Sequence, residues 1–356
     1  MDKTLELLKD LSEAHGVAGY ETPVRTVIHK YLEKLGGLSQ DKLGSVICTK
    51  KGSSAAPRVM LVAHMDEIGF MVKRITKEGF LKFLQLGGWW DQTLLGQRVI
   101  VKTKKGDLVG VIAAKPIHLL KAEQRKKVVE KKDMYIDVGA VSKEEVEKLG
   151  VRQGDPIVPR ADFVQLAPGN TYLGKAFDDR VGLTVMISAL QNLCAKEHPN
   201  SVFAVATVQE EVGARGAYTS VSSVQPDVAI ILEADIAGDV PGITADQSEI
   251  KLGKGPSIYL YDARMIPNIK LRDLVRSVAD ELAIPLQFSF LEGGATDGFP
   301  IHLYKTGVPT IVLAVPARHI HSHSSIIHRK DCDSAVQLLT SLVTRLDKDT
   351  VTSLTE

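Results

Sequence analysis

Three cysteines are all that the 356 residues contain, at positions 48, 194 and 332. Their number is odd, and their spacing matches neither a zinc knuckle nor a disulfide framework, so they read as reduced thiols of a cytoplasmic protein. An excess of either charge is missing as well: 44 Lys+Arg face 43 Asp+Glu. That balance removes the electrostatic reason to expect nucleic acid or an acidic membrane surface as a partner. No run approaches the ~18 apolar residues of a membrane span. Residues 1–16 carry charges every few positions and read as an amphipathic helix rather than a signal peptide. No internal repeat or low-complexity segment stands out. What is there is ordinary for a globular enzyme, 44% apolar and 24% charged. The length suits one large domain with an insert, or two domains.

Helical periodicity opens the chain. Leu5, Leu7, Leu8 and Leu11 share a face, and Val24, Val27, Ile28, Tyr31 and Leu32 repeat the pattern until Gly36-Gly37 ends it. A short strand is expected at 45–48 and a stronger one at 58–63, whose nearly all-apolar run predicts burial on both faces of an α/β sheet. From about 69 to 163 the texture turns β-rich, with short runs at 70–72, 80–84, 98–102 and 108–112 between Gly- and Lys-rich turns, the pattern of a small barrel or sandwich. The charged stretch 121–132 inside it reads as a solvated helix or mobile loop. After Gly174 the α/β texture returns. Helices are expected over 179–194, 270–282 and 332–346, and strands over 201–208, 228–232 and 308–315. The fold class is α/β, one domain interrupted by a β-rich insert.

Polar clusters follow the apolar strands. His64-Met65-Asp66-Glu67 succeeds the run at 58–63, Gln209-Glu210-Glu211 the run at 201–208, and Glu233-Ala234-Asp235 the run at 228–232. Arg318-His319-Ile320-His321-Ser322-His323 comes soon after 308–315. Ligands of open α/β sheets bind at the C-terminal edge of the strands. Asp178-Asp179 precede a helix, whose start favours a carboxylate. Singly, each cluster has a plain reading: a partly exposed imidazole, or a helix N-cap. Together they put like charges beside a core, where they repel, and cations relieve that. Histidine and carboxylate without cysteine is the ligand chemistry of a hydrolytic zinc or cobalt site. Five segments offer enough ligands for two metals that share a carboxylate, a pair able to generate hydroxide and polarise a carbonyl.

The segments His64-Met65-Asp66-Glu67-Ile68-Gly69-Phe70-Met71-Val72, Gly174-Lys175-Ala176-Phe177-Asp178-Asp179-Arg180, Val208-Gln209-Glu210-Glu211-Val212-Gly213 and Arg318-His319-Ile320-His321-Ser322 resemble, in order, motifs of the cocatalytic metallo-aminopeptidases that form tetrahedral (TET) particles. That family includes the glutamyl aminopeptidases, and the likeness runs from the N-terminal helix to about Leu346. The resemblance implies an aminopeptidase, removing N-terminal residues from peptides, with two divalent metal ions per subunit: zinc or cobalt, with manganese also compatible. It implies that His64 binds the first metal, with Asp66 orienting its imidazole, that Asp178 bridges both metals, that Glu211 and His321 complete the second, and that Glu210 is the general base. Relatives usually carry Asp where this chain has Glu233. Glu233 is taken as the last ligand of the first metal, with Asp235, two residues on and on the same strand face, as the alternative.

Neither His319 nor His323 is taken as a ligand. Gly293-Gly294-Ala295-Thr296-Asp297-Gly298 resembles the family's Gly-Gly-Thr-Asp turn and assigns Thr296 and Asp297 to the substrate pocket. In the insert, Asp137 reads as a buried structural carboxylate and Lys115-Pro116-Ile117-His118 as a turn. The implied architecture is a zinc-exopeptidase-like three-layer catalytic domain over 1–68 and 165–356. A small β-barrel or sandwich dimerisation domain spans 69–164, and the dimers build a hollow dodecamer. Among rival readings, a deacylase would share the scaffold. A glycosidase needs two carboxylic acids ~5–9.5 Å apart and no metal, which leaves His64 and His321 without a task. A scaffold that has lost its chemistry is opposed by Glu210 and the unbroken ligand set.

Overall fold

Alternate residues of the strand Arg58–His64 belong to two different hydrophobic cores. Val59, Leu61 and Ala63 pack into one, and Met60 and Val62 into the other, on the opposite face of the sheet. A strand covered on both sides has no polar face, which is why its sequence is apolar throughout. The computed structural model describes residues 2–167 and 169–356 and sets this strand inside an 11-stranded mixed sheet. Helices Lys3–Glu13, Thr22–Leu32, Phe177–Leu193, Ile269–Glu281 and Arg329–Arg345 cover the first core. Helices Arg215–Val224 and Gly298–His302 cover the second. Helix, sheet and helix give three layers.

The centre of the sheet runs in the order Ser201–Thr207, Arg58–His64, Val228–Ile236, Thr310–Arg318, all mutually parallel. Thr207 lies opposite His64, and Glu233 opposite Ala314. Parallel strands end at one edge, so residues far apart in the chain arrive together. Strands the pattern did not announce extend the sheet, among them Ser257–Asp262, Gln287–Leu291 and Ser325–His328. In Gln287–Leu291 only Ser289 is buried, so it lacks the apolar run of a central strand.

The β-rich insert is a closed barrel rather than a sandwich. Its strands run in the order Gly69–Ile75, Leu81–Leu86, Tyr135–Asp137, Gly106–Ala113, Arg98–Thr103 and Pro156–Pro159. They enclose a core of their own that includes Phe70, Val72, Leu81, Trp89 and Val99. Closure leaves no open sheet edge. The charged stretch becomes a short helix, Ala122–Arg125, and a 3-10 turn, Lys131–Asp133. Asp137 is half-buried rather than buried, because its carboxylate turns out to accept the Gly139 N–H at 2.8 Å. Among the described residues no helix is long and apolar enough to cross a membrane.

Candidate active site

His64, the last residue of its strand, is 1% exposed. Its Nε2 lies 3.2 Å from Asp178 Oδ1, 3.9 Å from Glu233 Oε2 and 4.0 Å from Glu210 Oε2. On the other side of Asp178, Oδ2 is 3.2 Å from His321 Nε2, which is also 3.7 Å from Glu211 Oε2. Each oxygen of one carboxylate thus faces a different imidazole. Donor atoms of His64, Asp178 and Glu211, and separately of His64, Asp179 and Glu233, fall within 4.8 Å of one another. The sequence-expected residues His64, Asp178, Glu210, Glu211, Glu233 and His321 are all brought together.

The charges fit cations. Among the described residues no Lys or Arg lies within salt-bridge distance of Asp178, Glu210, Glu211 or Glu233; only the two histidines do. Burial, with the Asp178 charge beside it, pushes Glu211 up to about 8. Burial and the neighbouring Asp179 raise Glu233 well above the carboxylate range. Burial alone would lower His321, but its bond to Asp178 and the charge of Glu211 lift it to about 10. Burial opposes ionisation of Asp178, yet its bonds to His321 and His64 outweigh that and hold it below its ordinary value. Crowded anions with imidazoles pointed at them are the donor set of a divalent metal centre.

Buried carboxylates hold the turns in place. Asp179 caps its helix: its oxygens accept the Gly182 N–H at 3.0 Å and the His64 N–H at 3.1 Å. Both being engaged, it is Asp178 that opens into the site. Backbone dihedrals at Asp178 and Asp179 are not helical, so the regular helix starts beyond them. Asp66 does not orient His64 through its carboxylate, which stays 3.7 Å from Nδ1. The Asp66 backbone carbonyl takes that position at 2.9 Å, while the side chain accepts the N–H groups of Glu210 and Glu211 at 2.9 and 3.1 Å. Glu21, absent from the sequence reading, accepts the Gln209 N–H at 3.1 Å. The Gly88 carbonyl, from the barrel insert, lies 2.8 Å from His321 Nδ1. A backbone carbonyl has no sequence signature. Glu21 sits far from every motif, at the N-cap position of Thr22–Leu32, and nothing local marks it.

Glu233 and Asp235 differ in their surroundings. Asp235 accepts the hydroxyls of Ser257 at 2.5 Å and Ser289 at 2.9 Å and the Ile236 N–H, whereas Glu233 Oε2 lies 3.9 Å from His64 Nε2. His323 is 5% exposed and packs 5.1 Å from the Trp89 ring. Burial draws it down to about 4, so it is a neutral packing group. A cavity of about 1260 Å³ opens over the site, with Thr296, His319 and His321 on its lining. Asp297 is not on that lining: Thr207 captures it with a 2.5 Å hydroxyl bond beneath the wall.

Comparison with known proteins agrees with this geometry. The profile of M42 glutamyl aminopeptidases matches residues 44–338. The lysyl aminopeptidase of Pyrococcus furiosus is 35% identical, over 96% of this chain and 97% of its own. The crystal structure of a TET aminopeptidase from the marine sediment archaeon Thaumarchaeota archaeon SCGC AB-539-E09 is 48% identical, covers 99% of both chains and superposes with a TM-score of 0.97. A Pyrococcus horikoshii TET1 peptidase, described as assembling into a tetrahedron or a large octahedral shell, is 33% identical over 97% of this chain and 100% of that one, with a TM-score of 0.87. By these likenesses, with a zinc-exopeptidase-like fold and a site built for divalent cations, the chain belongs to the M42 glutamyl aminopeptidase family and is a metal-dependent aminopeptidase.

Proposed function

We propose that two divalent cations flank the Asp178 carboxylate, the first held by His64 and Glu233, the second by Glu211 and His321, and that Glu210 is the general base. The observation that carries this reading is the division of Asp178, with one oxygen 3.2 Å from each of two imidazoles. Cations bound there acidify water and polarise the scissile carbonyl. Glu210 is the base that the family resemblance implies, and its Oε2 lies 4.0 Å from His64 Nε2. It takes the proton of the attacking water and returns it to the departing amine. Burial, with the charges of Asp297 and Glu211, raises its carboxyl above the ordinary range in the absence of cations. Glu210 and Glu211 lie beyond the strand Ser201–Thr207, in a turn entered by Gln209 at φ 57°, where adjacent side chains can face different partners.

The substrate is a peptide with a free amino terminus, and zinc, cobalt or manganese suits the ligand set. We propose further that the domain over 69–164 mediates dimerisation, that the dimers build a dodecamer and that the protein is cytoplasmic; the dodecamer described for a Pyrococcus horikoshii TET1 relative supports the assembly alone.

Glu210→Gln tests the assignment. It should retain the parent's metal content by elemental analysis and lose about 10²–10⁴ in kcat on aminoacyl anilides. Turnover within threefold of the parent would show that the base lies elsewhere.

A further inference from the structure

One wall of the cavity leaves the sheet and returns to the same point. Beyond the strand Val228–Ile236, Ala237 N–H donates to Ala317 O at 3.0 Å, Gly238 N–H donates to Ile250 O at 2.7 Å, and Ser248 Oγ donates to Ile236 O at 3.0 Å. Residues 238–250 therefore form a loop closed at its neck, the Ω shape often found at functional surfaces. Only glycine allows this neck, because a Cβ on Gly238 would meet Ser248 O at 2.2 Å. Val240, Ile243, Asp246 and Glu249 of the loop line the cavity, as Glu210 and Glu233 do.

Past the neck, the hydrogen bonds of the loop are mostly its own, such as Thr244 N–H to Gln247 Oε1 at 2.9 Å. One charged tether ties it to the protein, through Asp239, which also accepts the Leu252 N–H at 3.2 Å. Arg318 donates from Nε to Asp239 Oδ1 at 2.8 Å and from Nη2 to Asp239 Oδ2 at 2.6 Å. This paired fork fixes direction as well as distance. Arg318 ends the strand Thr310–Arg318 and leads into His319-Ile320-His321, all three of which line the same cavity. Both His319 and His321 sit at positive φ, 61° and 56°. The segment that carries His321 and the loop that walls the cavity are thus fastened to each other through one ion pair.

We propose that the loop 238–250, pinned through Asp239 to Arg318, sets how large an N-terminal side chain the site accepts, with Asp239 and Arg318 as its positioning residues. This rests on the aminopeptidase site proposed above. A wall built on a single neck and a single charged tether moves when the tether is cut. Discrimination between side chains differing by a few methylenes depends on the placement of such a wall.

The test is the ratio of kcat/KM for phenylalanyl over alanyl anilide. A ratio does not change with the fraction of folded or metal-loaded enzyme. Asp239→Asn and Arg318→Gln should each raise it at least fivefold, the double variant no further than either single, with metal content unchanged. Val240→Ala together with Ile243→Ala, which trims the wall and leaves the tether, should raise it likewise and covers the case of a tether variant that does not fold. Ratios within twofold of the parent in the folded variants, whatever their melting temperatures, overturn the proposal. The parent's own turnover of the alanyl substrate reports separately on the underlying assignment.

Discussion

Glu67→Gln should destabilise the protein more than Lys175→Met, although the two side chains are partners. Lys175 Nζ lies 2.6 and 2.7 Å from the two Glu67 oxygens, Arg180 Nη2 is 3.7 Å from one of them, and all three side chains are at most 2% exposed. Two buried cations share one buried anion. Removing the anion strands both, and breaking a buried pair from one side costs ~3–5 kcal/mol. Lys175→Met instead leaves the carboxylate with Arg180 and with the Gly16 N–H at 3.1 Å. The expected loss there is ~1.5–3 kcal/mol, the scale of a hydrogen bond to a charged group. With an unfolding entropy of about 2.1 cal/mol/K per residue over 356 residues, one kcal/mol moves Tm by about 1.3 °C. Glu67→Gln should therefore lower Tm by about 4–7 °C, and Lys175→Met by about 2–4 °C. Scanning calorimetry at one fixed protein concentration reads both. The double variant should be more stable than Glu67→Gln alone, since it carries one stranded cation fewer. A Glu67→Gln variant as stable as Lys175→Met, or a double variant less stable than either single, would refute the shared-anion picture.

Other predictions concern the same region. Burial draws Lys175 down to about 8 from 10.5. Between those values the unfolded chain binds more protons than the folded one, so the parent should gain stability over Lys175→Met as pH rises through that window; a constant gap from pH 7 to 10 contradicts this. Asp178→Asn should retain less than half of the parent's metal by elemental analysis, and full occupancy argues against a bridging carboxylate. Asp235→Asn should keep its metal while Glu233→Gln loses it; the reverse pattern would move the ligand two residues along the strand.

What the sequence made legible follows from the sheet. In a parallel core the strands are apolar along most of their length, so polar residues at their C-terminal ends stand out: His64 ends its strand and Glu210 and Glu211 follow theirs, whereas Glu233 lies inside Val228–Ile236, a strand that runs past the expected end at 232. The barrel was legible from its short alternating runs, though its closure was not, because closure depends on Pro156–Pro159 pairing with both Gly69–Ile75 and Arg98–Thr103. Asp66 was found in the right place and given the wrong bond. Residue type can say that a carboxylate belongs near His64, but whether its side chain or its carbonyl takes Nδ1 depends on a turn geometry that no spacing encodes. Asp297 shows the same limit: a hydroxyl from Thr207, 90 positions away, draws it beneath the wall it was expected to form.

The turns that carry the site share one device. Glu21, Asp66 and Asp179 are each at most 3% exposed, and each spends its oxygens on backbone N–H groups. Glu21 takes those of Gly19 and Gln209, Asp66 those of Glu210 and Glu211, and Asp179 those of His64 and Gly182. Each carboxylate accepts two backbone N–H groups at once, so the three fix the chain at His64 and at Gln209, Glu210 and Glu211. Burial raises all three carboxyls above their ordinary range, so cations bound nearby would favour their charged form. The same three groups therefore hold the turns of the site in register, and cations bound there would stabilise those turns.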